Sequence, residues 1–121
     1  MSETQEYFID ILNLVPVNFF CYIQSPHEEI LEVLKYMSPA KEGGFIVVEL
    51  SLENRNVLVQ ATISKHIEQF IHRIEIKFGG KLIFEGYDGI EYGGISKQIN
   101  IPQEFLEKHV NGSMCFISKD W

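Results

Sequence analysis

A chain of 121 residues that is 45% apolar, with nine Phe, five Tyr and one Trp, can bury a core of its own and is far from the composition of disordered chains. Its net charge of -7 excludes a phosphate-tracking surface, because nucleic-acid contacts depend on clustered Lys and Arg, and it disfavours anionic membranes in the same way. No apolar run approaches the roughly 18 residues of a membrane-crossing helix, and Met1-Ser2-Glu3-Thr4-Gln5-Glu6 is acidic where a secretion signal is basic, so a single cytoplasmic domain over residues 1–121 is expected.

Ser2 and Gln5 have the spacing of a capping box, and Phe8, Ile11, Leu12 and Val15 follow at helical intervals until Pro16, which predicts a first helix over residues 3–14. Val17 to Ile23 is aromatic and β-branched and suits a strand. At Ser25-Pro26-His27-Glu28 the pattern is that of an N-cap, a proline at the first helical position and a capping glutamate. A second helix is therefore expected from Pro26, burying Ile30, Val33, Leu34 and Met37 and ending at Ser38-Pro39, with Ala40 to Gly44 as a loop.

From Phe45 the residues favour extended chain. Phe45 to Leu52 and Val57 to Ser64 are apolar and β-branched, and the polar Glu53-Asn54-Arg55-Asn56 between them predicts a hairpin. Residues 65–72 fit either a short helix or an irregular stretch, and Arg73 to Phe78 then alternate with a period of two. Side-chain parity favours a three-residue loop at 79–81, setting Ile76 beside Phe84 and Lys77 beside Ile83. Glu75, Lys77, Ile83, Glu85 and Tyr87 would then share the face turned away from Ile74, Ile76, Leu82 and Phe84. Ile95, Ile99 and Ile101 alternate with polar residues as a further strand. Pro102 opens a helix through Phe105, Leu106 and Val110 with Gly112 as its C-cap, and Met114 to Ser118 forms a last short strand. The expected fold class is α+β: an antiparallel sheet of about five or six strands packed against two N-terminal helices and one C-terminal helix.

Reactive groups are sparse. Cys21 and Cys115 have apolar neighbours and read as buried, reduced thiols. His27 and His109 fall at helix ends, where exposure is usual, and His66 and His72 are six apart, without a metal-binding interval. His66-x-Glu68 matches the His-x-Glu of zinc deaminases, but the accompanying Pro-Cys-x-x-Cys is missing. No catalytic residue, cofactor or metal is expected. Residues 1–60 carry nine acids against three bases, a balance of -6, whereas residues 61–121 carry eight acids against seven bases, a balance of -1. Such a field attracts a basic protein. The candidate contact residues are Glu85, Tyr87, Asp88, Glu91 and Tyr92, where tyrosines offer rigid anchors and carboxylates offer partners for Lys or Arg.

The segments Gly80 to Asp88, Ile95-Ser96-Lys97, Ile101 to Lys108 and Cys115 to Trp121 resemble small immunity proteins of bacterial contact-dependent growth inhibition and related polymorphic-toxin systems. The likeness covers roughly residues 74–121. It implies a cytoplasmic antidote that binds the C-terminal toxin domain of a secreted exoprotein, often a nuclease, and blocks its active site; no contact residue is carried over by motif. Two readings from other classes stand beside it: a small hydrolase using His66 or His72 with Glu68, and an adaptor that pairs with a copy of itself. The oligomeric state and the toxin's identity are not legible in the residues.

Overall fold

The computed structural model describes residues 1–121. Its first helix, α1 (Glu3–Leu14), starts on the capping box expected of it: Gln5 N–H donates to Ser2 Oγ at 3.2 Å and Ser2 N–H to Gln5 Oε1 at 2.8 Å. β1 (Phe19–Gln24) follows, then α2 (Glu28–Leu34), β2 (Ala40–Glu42), β3 (Phe45–Leu50), α3 (Leu52–Lys65), β4 (Arg73–Phe78), β5 (Lys81–Tyr87), β6 (Tyr92–Ile95), α4 (Gln103–Phe105) and β7 (Cys115–Ile117). One sheet of seven strands runs in the order β2-β3-β1-β4-β5-β6-β7. Every pairing is antiparallel except that of β6 with β7. The α+β class is as expected, with more strands and one more helix than anticipated.

The largest correction falls on residues 52–65, which form a helix instead of the second arm of a hairpin. Ser51 caps it, its Oγ accepting from Asn54 N–H at 3.1 Å, and Leu58, Ala61 and Thr62 turn inward at helical spacing. The β-branched Val57, Val59 and Ile63 carry only a weak local preference, and burial of one helical face against α1 overrides it. Arg55 on the same helix donates to the Val15 carbonyl and closes the end of α1.

Other corrections are local. Ala40 to Glu42 pairs with β3 as an edge strand, and Gly43-Gly44 is the turn between them. The helix expected from Pro26 begins at Glu28, because Ser25 Oγ accepts from His27 N–H and donates to the Phe70 carbonyl, a tie across the fold. Residues 65–72 resolve into a left-handed His66 and a 3-10 turn, Ile67–Phe70. Lys77 pairs with Leu82, not Ile83, around a two-residue Gly79-Gly80 turn with both φ angles positive; a bulge between Ile76 and Lys77 restores the expected partnership of Ile76 with Phe84.

Downstream, β6 ends at Ile95, and Ser96 to Ile101 is turn and coil where a strand was expected. α4 runs directly into a π turn, Leu106–Val110, and the left-handed residue after it is Ser113, not Gly112. Gly112 has a steric role: a side-chain carbon there would stand 2.6 Å from the Lys108 carbonyl oxygen. The C-terminus is tied down by Ser118 Oγ, which accepts from the Asp120 and Trp121 N–H groups, and by Lys97, whose N–H and Nζ donate to the Trp121 and Lys119 carbonyls. The resemblance segments 95–97 and 118–121 thus meet as one structural joint.

A single buried cluster draws on all four helices and one face of the sheet, with Tyr7, Phe8, Ile11 and Leu12 of α1 meeting Cys21, Ile23, Ile74, Ile76 and Phe84 of the strands. No helix is long and apolar enough to cross a membrane.

Candidate binding surface

Strand parity sends the alternate side chains of β1, β3, β4, β5, β6 and β7 to the face that no helix lines. Three rows cross it. Glu49, Phe20 and Lys77 stand side by side; Tyr22, Glu75 and Glu85 form the next row, running on to Gly94 and Phe116; Arg73, Tyr87 and Tyr92 form the third. None of the named side chains is buried, but Val47, the β3 partner of Tyr22, is covered.

The centre of the face is an electrostatic knot. Glu75 and Glu85 are direct cross-strand partners, a like-charge pairing that is unfavourable by itself. Arg73 and Lys77 resolve it: Arg73 Nη2 lies 2.7 Å from Glu75 Oε2 and 3.9 Å from Glu85 Oε2, and Lys77 Nζ lies 3.3 Å from Glu75 Oε1. The same cations seat the aromatic rings, with Lys77 Nζ 4.5 Å from the Tyr22 centroid and Arg73 Cζ 5.5 Å from that of Tyr87. Each ring thus has a cation against it.

The five residues singled out from sequence lie together at the β5–β6 end. Tyr87 and Tyr92 are register partners with ring centroids 5.5 Å apart, and Tyr92 Oη donates to Asp88 Oδ2 at 3.3 Å. The Tyr87 hydroxyl is pushed up to about 12 by desolvation and by the neighbouring Glu85 carboxylate, so it remains a donor throughout the physiological range. Asp88, Gly89 and Ile90 all have positive φ, which turns the chain tightly and leaves Asp88 and Glu91 exposed. Among the three carboxylates Glu85 differs, being half-buried and engaged with Arg73. The carboxylates of this end without a cation partner are thus Asp88 and Glu91.

Sequence reasoning missed Tyr22, Phe20, Glu49, Arg73 and Phe116 as members of the face. The alternation of Phe20 and Tyr22 with Cys21 and Ile23 carries a signal for the first two of these. Nothing local places Phe116, whose ring tip packs over Gly94 through a parallel pairing between distant segments.

The histidines occupy other sites. His109, expected at the surface, is 3% exposed, with Nε2 2.8 Å from Asp10 Oδ2 and its ring 5.0 Å from that of Tyr7. His66 and His72 are exposed and share no hydrogen bond with Glu68, whose carboxylate is buried and accepts from Thr4 Oγ1 at 3.0 Å. Burial pushes the Cys21 thiol up to about 12 and the Cys115 thiol up to about 11, so both are protonated, and poor nucleophiles, near neutrality. No three His, Cys, Asp or Glu side chains gather in a way that could hold a metal ion. Comparison with models of protein families, with curated proteins and with solved structures found no match.

Proposed function

We propose that this chain is a bacterial immunity protein of the contact-dependent growth inhibition or polymorphic-toxin kind: it binds a cognate toxin domain in the cytoplasm and neutralises it by covering its active site, with no reaction of its own. The observation that carries this reading is the uncovered sheet face, on which Tyr22, Tyr87 and Tyr92 are already held in place by Lys77, Arg73 and Asp88. Aromatic side chains fixed before encounter lose little freedom on binding, which is what a tight inhibitor requires. A toxin nuclease grips phosphates with Lys and Arg, and Asp88 and Glu91 beside the tyrosines offer carboxylates to those same groups. The resemblance over residues 74–121 supports the same class of partner.

Self-association is the second reading, favoured by the charge balance at the centre of the face, where two carboxylates meet two cations. Co-expression separates the two. Cells making the toxin domain encoded beside this gene should survive when this chain is present and die without it; continued killing by that domain despite abundant folded chain would overturn the assignment. Gel filtration over a range of concentrations should return a monomer under the first reading and a concentration-dependent dimer under the second.

A further inference from the structure

The replacement of the expected 57–64 strand by α3 creates a surface that the local pattern concealed. α3 lies beside α2, and between them runs a groove of about 680 Å³ floored by Val33, Met37, Val57 and Ala61. A second hollow of about 410 Å³ opens toward Phe20 and Val47 on the sheet. The two share Tyr36, Met37, Glu53 and Asn54, so they form one continuous channel with Tyr36 at its middle.

Tyr36 is 81% exposed, and its only ring partner is the Lys35 ammonium, 5.0 Å from the centroid. Val57, on the floor of the groove, is 43% exposed. Large apolar groups left this open, around a hollow, are the kind of surface that a partner covers. The charge of the channel states the partner's sign. Its ionisable lining is Glu32, Glu49 and Glu53 against Lys65, and Lys35 beside the Tyr36 ring pairs with Glu32 at 2.7 Å, which leaves Glu49 and Glu53 against one cation. Glu32 is held below its usual range chiefly by its hydrogen bond to Lys35, so it stays ionised well below neutrality. Unlike the centre of the sheet face, this channel has an acidic surplus. A second copy of the chain would bring the same acids to the same place.

We infer that the channel through Tyr36, between α2 and α3, is a docking site for a Lys/Arg-bearing segment of a partner protein that lays an apolar side chain against Tyr36 and Met37. This holds whether or not the partner is a toxin. The test uses the full chain, ¹⁵N-labelled, titrated with a short synthetic peptide of Lys, Leu and a single Trp, and with its counterpart carrying Glu for Lys. The basic peptide should shift resonances of residues 32–37 and 47–61, and the acidic peptide should shift none. Tyr36→Ala leaves the charge unchanged and, being a change at an exposed side chain, should leave the melting temperature unchanged; it should weaken the basic peptide by about tenfold, as loss of an aromatic anchor does. Glu53→Gln should weaken it less and flatten its salt dependence. Equal affinity of Tyr36→Ala and the parent chain would reduce the effect to diffuse charge and overturn the proposal. Shifts centred on β5–β6, or a dimer that buries Tyr36, would also overturn it.

Discussion

Replacing Gly93 by alanine is expected to damage the fold at the base of the candidate surface. Gly93 sits opposite Gly86 in the β5–β6 pairing, and a side-chain carbon there would lie 2.3 Å from the Glu85 carbonyl oxygen and 3.1 Å from Tyr7 Oη. The first contact is with backbone inside the ladder, so relief requires β5 and β6 to separate. Overpacking of this kind costs about 1–3 kcal/mol. For a 121-residue chain, with an unfolding entropy of about 2.1 cal/mol/K per residue, 1 kcal/mol corresponds to about 4 °C, so the melting temperature should fall by about 4–12 °C. Gly94→Ala is the control. Its new carbon would meet the Phe116 ring at 2.3 Å, but that ring is 50% exposed and can swing into solvent, so the cost should stay below about 1 kcal/mol. Thermal unfolding followed by circular dichroism reads both. A Gly93→Ala loss no larger than that of Gly94→Ala would refute the claim that close backbone packing holds this hairpin in register.

The opposed carboxylates of β4 and β5 give a second prediction. Arg73→Ala should cost about 1 kcal/mol by urea unfolding, and adding Glu85→Gln should restore more than half of it; a double variant as weak as the single would show that the guanidinium acts through packing alone. Alkaline pH gives a third. The folded state holds the Cys21 proton up to about 12 against an ordinary value of 9.0, so its contribution is complete below pH 9 and is lost as pH rises toward 12. Cys21→Ala should flatten the fall of stability in that window by about 1.4 kcal/mol per pH unit, and an unchanged slope would count against burial as the cause.

Where local chemistry decided the structure, it could be read directly. The Ser2–Gln5 box, the period of two in Arg73 to Phe78 and the stop at Pro16 needed no distant partner, whereas α2 ends at Leu34, short of the stop expected at Ser38-Pro39. α3 was misread because Val57, Val59 and Ile63 favour extended chain, while the Ser51 cap and the inward Leu58, Ala61 and Thr62 prevail only once α1 is in place. The Ile76 bulge preserved the predicted facing of Ile76 and Phe84 by a different turn, since parity constrains pairing but not the loop that delivers it. The candidate surface was legible as far as strand parity reaches, giving Glu75, Lys77, Glu85 and Tyr87; Ile83, expected with them, is buried, because the bulge gives its place opposite Lys77 to Leu82. Which of its acids are free was not: net charge counts carboxylates, whereas the pairing of Glu75 and Glu85 with Arg73 and Lys77 depends on how two strands align. His109 was misplaced for a related reason, as its helix end is covered by α1 and Asp10.

Calorimetric titration of the purified chain with the purified toxin domain that the proposed function expects to be encoded beside it tests the central claim most directly. A one-to-one complex is expected whose affinity falls as salt rises and drops at least about a hundredfold in a Tyr87→Ala/Tyr92→Ala variant that still folds. Absence of heat and of any complex at millimolar protein, or a complex indifferent to both tyrosines, would contradict it.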